Sequence, residues 1–138
     1  MVFQQELTFS TSGRGTINIT SQVQQLVAQS GINIGSCHVF VQHTSASLML
    51  CENADPDVRG DLETFMQHIV PDGAPMFLHL DEGPDDMSAH IRTVLTNPDL
   101  TVPVSNGQCN LGIWQGIYLW EHRLHPHHRR VIITVQGA

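Results

Sequence analysis

Apolar and polar residues alternate with period two near both ends of the chain, and a period near 3.6 appears at three internal stretches. Residues 2–11 and 14–19 alternate like strands, the second with Ile17 and Ile19 on one face. Ser12-Gly13 between them suits the turn of a hairpin. Thr20 or Ser21 can cap a helix whose apolar stripe is Val23, Leu26 and Val27, and Gly31 suits the left-handed residue that ends it. Strands are predicted over 36–43 and 47–52, joined as a hairpin through Thr44, Ser45 and Ala46. Asp55, Pro56 and Asp57 have the order of a cap, a first helical residue and a first-turn acid, opening a second helix with the stripe Val58, Leu62, Phe65, Met66 and Ile69. A third helix runs from Asp85 or Asp86 to Leu95, with Met87, Ile91, Val94 and Leu95 as its expected buried face. Strands over 100–104, about 113–121 and 130–136 close the chain. The order ββαββααβββ, about seven strands with three helices, groups the helices too closely for repeated βαβ units and predicts an α+β fold.

A length of 138 residues, 41% of them apolar, is enough for one core, so a single domain over 1–138 is expected. Charged residues are only 14%, the net charge is −7, and there are six arginines and no lysine. That balance argues against a nucleic-acid surface. The missing lysine excludes Schiff-base and P-loop lysine chemistry. The start of the chain has no signal-peptide pattern and no segment approaches the roughly 20 apolar residues of a membrane span, so no membrane partner is expected. Cys37, Cys51 and Cys109 are odd in number and form no C-x-x-C, which fits free thiols in the cytoplasm.

Candidate chemistry starts at "DDMSAH", residues 85–90, where Asp86 and His90 stand four apart on one helix flank. His79 follows an apolar "MFL" and precedes the acid-rich loop "LDEGPDD" that leads into the same helix. Backbone N–H donors and carboxylates meeting at a helix start suit a metal–phosphate group. His43 ends the apolar row Cys37, Val39 and Val41. "EHRLHPHHRR" reads as an exposed hairpin loop rich in histidine, and Trp114, Tyr118 and Trp120 lie opposite Gln115 and Glu121, as packing or subunit-interface residues. Neither Cys51 nor Cys109 has a base partner in the sequence. His43 and Glu52 stand on the order of 15 Å apart in the expected hairpin, and Gln115 lies roughly 20 Å from Glu121 along a strand. These residues make either two subsites or a site shared with a neighbouring subunit.

Three stretches in order, "HTSASLMLCENADPD", "DDMSAHI" and "VPVSNGQCNLGIWQGIYLWE", resemble the YjbQ-like family, associated with secondary thiamine-phosphate synthase activity. The resemblance spans essentially the whole chain. It implies two packed β-sheets and a homotrimer. It also implies a reaction that joins a pyrimidine diphosphate to a thiazole phosphate and releases pyrophosphate. On that reading Asp55, His79, Asp86 and His90 are expected to hold a divalent metal, Mg²⁺ or, given the histidines, Zn²⁺. His43, Asp86, His90 and Glu121 are the expected catalytic residues, and Gln115, Arg129 and Arg130 the groups that bind the small phosphorylated substrate. The sequence departs at "GIWQ", where Ile113 replaces the family's usual threonine. Two alternatives stand beside the synthase: metal-dependent hydrolysis of a small phosphorylated or acyl substrate, and a non-catalytic trimer that binds a metal or small molecule.

Overall fold

Both ends of the alternating pattern do become strands, but they pair across long stretches of sequence. A computed structural model describes residues 1–138. Its elements are β1 (Val2–Ser10), β2 (Gly15–Asn18), α1 (Thr20–Ser30), β3 (Gly35–Val41), β4 (Ala46–Glu52), α2 (Pro56–Ile69), α3 (Asp86–Leu95), β5 (Asp99–Ser105), β6 (Gln108–Cys109), β7 (Gln115–Glu121) and β8 (His128–Gly137). The fold is α+β with two antiparallel sheets, a five-stranded one ordered β1-β8-β3-β5-β6 and a three-stranded one ordered β2-β7-β4. The strand beyond the seven expected is β6. Asn106 and Gly107 both have positive φ, at 54° and 75°, and fold Gln108 back onto Ser105. Such a two-residue Asn-Gly turn is the strongest short-range hairpin signal.

The main core lies between the sheets. Val131, Ile133 and Val135 of β8 and Val39 and Val41 of β3 belong to the same buried cluster as Leu48 of β4 and Ile117 and Leu119 of β7. Val23, Leu26 and Val27 of α1 join it, and Gly31 ends that helix with φ 70° as expected. The residue before its first turn is Ile19, which carries no capping group, so neither Thr20 nor Ser21 caps the helix as expected. Instead Asn18 Oδ1 accepts from the Thr20 backbone N–H at 3.0 Å and from its hydroxyl at 2.6 Å. A second cluster, Met49, Met66, Val70, Tyr118 and Trp120, packs helix α2 against the three-stranded sheet. This explains why β7 is buried on both faces from Gly116 onwards.

Three sequence expectations are corrected here. The connections β1–β2, β3–β4 and β7–β8 are not hairpins, because each crosses from one sheet to the other. Alternating strands joined by a few polar residues satisfy either arrangement, since an apolar row can face a partner within one sheet or across two. The second correction concerns α3. Val94 and Leu95 are 82% and 58% exposed, and its buried residues are Asp86, Ser88, Ala89, Arg92 and Thr93. The polar face turns inward because it finds partners there, Arg92 on Glu63 at 2.8 Å and Ser88 on Asp72 and Arg14 among them. On α2, likewise, only Met66 of the expected stripe is fully buried, with Phe65 and Ile69 exposed.

These three short crossovers lie at the same end of the sandwich. Ser10 pairs with His128 and Val41 with Val131 in one sheet, while Gly15 and Ala46 both pair with Glu121 in the other. There Glu121 continues the inward row of Ile117 and Leu119, and Arg129 continues that of Val131, Ile133 and Val135. The two charges end apolar rows from opposite sheets and meet. Arg129 forks onto the carboxylate, with Nε 2.8 Å from Oε1 and Nη2 on Oε2. Thr11 Oγ1 donates to Oε1 at 2.7 Å and the Arg123 N–H to Oε2 at 3.1 Å, while Arg129 also donates to the Ser45 carbonyl at 3.1 Å. Each crossover therefore contributes to one clip, in which Glu121 is 1% and Arg129 3% exposed. Burial works to raise the Glu121 pKa, but Arg129, Thr11 and the Arg123 N–H hold it below the ordinary range.

Removing one partner leaves the other charge buried and alone, which typically costs about 3–5 kcal/mol. Glu121→Gln and Arg129→Met should each lower the urea-unfolding free energy by about that amount, and the double variant by less than the sum of the two. Equal losses adding up in full would mean that the two side chains do not act as a pair.

His122, next to the clip, is fully buried, with Nε2 2.8 Å from Ser47 Oγ and Nδ1 unpartnered. Burial, followed by the charge of Arg92, pushes its pKa down to about 3. The unfolded chain therefore binds the extra proton between about pH 6.5 and 3, and this part of the stability falls as pH drops through that window by at most about 1.4 kcal/mol per pH unit. His122→Asn should flatten the dependence of urea stability between pH 6.5 and 4.5 relative to wild type. An unchanged slope would show that the imidazole is not held neutral.

Candidate metal centre

The crossover end also carries the chemistry. Helix α3 starts there, and its first two acids point to different tasks. Asp85 makes no side-chain cap bond to its own helix but accepts from Arg123 Nε at 2.8 Å and from the Leu124 N–H at 3.0 Å. Burial opposes its ionisation, and Arg123 and the Leu124 N–H outweigh that, holding its pKa at about 2. Asp86 is 2% exposed and one turn before His90. Its Oδ2 lies 2.6 Å from His79 Nε2 and 3.0 Å from His90 Nε2, while its Oδ1 lies 2.9 Å from Arg123 Nη1. Burial tends to raise the Asp86 pKa, but the hydrogen bond from His79 and the charges of His90 and Arg123 bring it below the usual range.

His79 comes from the segment between α2 and α3. Gly73 N–H donates to the Pro84 carbonyl at 2.9 Å and closes the base of that segment. Asp72 ties it down further, receiving Arg14 through two guanidinium nitrogens at 2.6 and 2.8 Å and also the Ser88 hydroxyl. The ligand atoms of His79, Asp86 and His90 all lie within 4.8 Å of one another, the group of His, Cys, Asp and Glu side chains that converges in this way.

The chemistry of these donors fits a metal ion. His90 Nδ1 is 3.0 Å from the Thr44 carbonyl, which only accepts, so Nδ1 carries the hydrogen. The Nε2 lone pair then faces a carboxylate oxygen, an arrangement that needs a cation between them, either a proton or a metal. A backbone carbonyl that fixes the histidine tautomer is a regular partner of metal-binding imidazole. Two ligand atoms each about 2.1 Å from one tetrahedral ion stand about 3.4 Å apart, so each gap between Asp86 Oδ2 and a histidine nitrogen has to open by less than about an ångström. Two imidazole nitrogens with one carboxylate oxygen match zinc or a similar transition metal more closely than magnesium, which prefers an all-oxygen shell.

The other expected site residues are elsewhere. His43 directly precedes Thr44, but its Nε2 accepts the Arg130 N–H at 2.8 Å, so the ring turns toward β8. Burial and then the charges of Arg129 and Arg130 lower its pKa, which keeps it neutral. Glu121 and Arg129, expected as catalytic and phosphate-binding groups, face each other in the clip. The Arg130 side chain is exposed, as strand alternation beside buried Arg129 requires. Asp55 caps α2, its Oδ1 accepting the Asp57 N–H at 2.9 Å, and Glu52 accepts the Asp55 N–H at 2.8 Å. Gln115 pairs with Glu52 and accepts the Gly112 N–H at 2.8 Å. Asp55 and Gln115 thus sit at the opposite end of β4 and β7, roughly 20 Å along the strands from the crossovers. Within one chain Asp55 does not join the other three expected metal ligands.

In "EHRLHPHHRR", a crossover, His122 is buried rather than exposed. His127 Nδ1 contacts the His125 carbonyl at 2.7 Å and His128 Nδ1 contacts Ser10 Oγ at 3.0 Å. Sequence reasoning missed three contributors: Arg123, Asp85 as its anchor, and the Thr44 carbonyl. A backbone carbonyl carries no residue-type signal. Arg123 stands in the histidine-rich stretch that reads as an exposed loop, and its two acidic partners lie nearly forty positions earlier.

Known proteins resemble the chain throughout. A UPF0047 protein of Synechocystis sp. is 48% identical over 134 residues, covering 97% of this chain and 91% of that protein. The UPF0047 protein YjbQ of Escherichia coli O157:H7 is 45% identical over 138 residues, 99% of each chain. Among solved structures, a YjbQ/UPF0047 protein of Clostridium acetobutylicum superposes with a TM-score of 0.88 at 34% identity over 96% of this chain and 99% of its own. A Sulfolobus solfataricus protein described as YbjQ-like and of unknown function superposes with a TM-score of 0.90 at 26% identity over 100% and 99%. The family model for UPF0047 protein YjbQ-like sequences matches residues 5–138, and the chain belongs to that family.

Proposed function

We propose that this protein is a metal-dependent enzyme acting on a small phosphorylated substrate at the His79–Asp86–His90 centre, with thiamine-phosphate formation as the specific reaction. The observation that carries the metal reading is the pair of His90 contacts: Nδ1 lies 3.0 Å from the Thr44 carbonyl, and Nε2 meets the same Asp86 oxygen that faces His79 Nε2. Asp86, His79 and His90 would hold the ion, which when bound would supply Lewis-acid charge to a departing substrate oxygen. The exposed Arg130 side chain and the neutral His43 ring stand on the adjoining part of β8 and the β3–β4 crossover, where Arg130 can bind phosphate and His43, with Nε2 occupied by the Arg130 N–H, can donate a hydrogen bond from Nδ1–H. With no lysine in the chain, phosphate recognition falls to arginine, backbone N–H groups and the metal. The two-imidazole, one-carboxylate donor set favours hydrolysis of a small phosphorylated or acyl substrate as the second reading.

We also propose a homotrimer in the cytoplasm. Exposed apolar side chains support the assembly: Leu78 is 97%, Val94 82% and Met76 78% exposed near the metal centre, and Ile113 is 81% and Trp114 61% exposed at the opposite end. A neighbour bringing its Asp55–Gln115 end against this centre would unite residues that lie far apart in one chain. No helix of the protein is long and apolar enough to cross a membrane, and all three cysteines are free, as a reducing compartment favours.

Untagged protein should retain or take up one divalent ion per chain, zinc in preference to magnesium, when metal content is measured after dialysis. In a coupled assay with pyrimidine diphosphate, thiazole phosphate and each metal, wild type should form thiamine phosphate. Asp86→Asn and His90→Ala should lose on the order of 100-fold or more, His127→Ala little. No product under any metal removes the synthase assignment, and a hydrolytic screen then decides between the second reading and a binding module without turnover. Light scattering at micromolar concentration should give about three times the 15.3 kDa chain mass. A persistent monomer would sink both the trimer and the shared site.

A further inference from the structure

We propose that Arg123 is the positioning residue of the metal centre: it fixes which oxygen of Asp86 is offered to the ion. The inference rests on the metal reading above. A carboxylate has two equivalent oxygens and a soft terminal torsion, so presenting only one of them needs a partner on the other. Arg123 Nη1 holds Asp86 Oδ1 at 2.9 Å and leaves Oδ2 alone facing both imidazoles. The guanidinium is itself fixed at two further points and the backbone of the residue at a third. Its Nε donates to Asp85 Oδ2 at 2.8 Å, its Nη2 to the Glu82 carbonyl at 2.9 Å, and its own backbone N–H to Glu121 Oε2 at 3.1 Å.

These contacts tie together the His79-bearing segment, the start of α3 and the buried clip. The side chain is 12% exposed, so solvent does little to replace it. Arg123 also supplies the positive charge that makes a buried, ionised Asp86 tolerable before any ion arrives. An arginine is required by this geometry, because a planar fork reaches Asp85 and Asp86 at once and a lysine ammonium on a single stem does not. Arg123 touches none of the reacting atoms and acts through Asp86.

The test compares wild type with Arg123→Met, Arg123→Lys and Asp85→Asn. Co²⁺ binding is followed by visible absorption and Zn²⁺ binding by chelator competition, and the ring ¹⁵N shifts of His79 and His90 are recorded in metal-free protein. Loss of an outer partner typically weakens metal binding 10–100-fold. Arg123→Met should show that loss for both ions and move the ring shifts, because Asp86 is free to turn away. Arg123→Lys should recover part of the affinity. Wild-type affinity and unchanged ring shifts in Arg123→Met would overturn the proposal. If that variant does not fold, Asp85→Asn decides. It keeps the contact to Asp86 but loosens the guanidinium, so a smaller loss in the same direction supports the proposal, and unchanged affinity and shifts overturn it. If wild type itself takes neither ion, the metal reading falls, and the metal-free ring shifts alone judge Arg123. Movement on Arg123→Met keeps it as the residue that orders the His–Asp–His cluster, and no movement removes it.

Discussion

The buried pair of Glu121 and Arg129 is the constraint on which the rest of the molecule depends. Each charge sits at the end of an inward apolar row, one from each sheet, at the place where the chain passes three times between the sheets. A carboxylate and a guanidinium withdrawn from water are tolerable only with nearly every lone pair and proton satisfied. Thr11, Ser45 and Arg123 supply those bonds, and each belongs to a different crossover. The need to satisfy two buried charges therefore fixes the relative positions of three connections that are otherwise short and polar. An apolar pair would fill the same space but would not hold three separate backbones in register, because dispersion has no direction.

The candidate centre hangs from this frame. Arg123 is anchored by its backbone to Glu121 and by its side chain to both acids that open α3. His90 leans on the carbonyl of Thr44 in the neighbouring crossover, and His79 is held through a loop tied to Arg14 in the third. The three sheet-to-sheet connections at this end thus contribute to the position of one small cluster. The inverted burial of α3 belongs to the same design. Its polar flank faces the crossovers, where partners are available, and Val94 and Leu95 of its apolar flank are left on the surface.

Local structure was legible wherever the cause is local. The Asp55-Pro56 start of α2, the left-handed Gly31, the extent of α3 and the pairing of Asp86 with His90 at four residues' spacing all follow from backbone geometry within one turn. The α+β class followed from the grouping of helices among the strands. The alternation along β8 turns Arg129 inward and Arg130 outward, a distinction that the expected strand over 130–136 did not draw.

What the tertiary structure decided was pairing between distant segments. Strand alternation has the same period whether the next strand lies beside its neighbour or in the facing sheet, so three crossovers read as three hairpins. The amphipathic stripe of α3 says which face differs, not which face is covered. Burial went to the polar side because Glu63, Asp72 and Arg123, from three separate parts of the chain, were in place to satisfy it. Histidine and carboxylate spacing brought out His79, Asp86 and His90; the family resemblance added Asp55 as a ligand and Gln115 as a substrate group, and the fold sets those two at the far end of the sandwich. The sequence by itself thus determined the elements and the residue types able to hold a metal. Only the fold chose three of them and supplied the Thr44 carbonyl and Arg123 that orient them, because those contacts close loops of tens of residues that no local periodicity encodes.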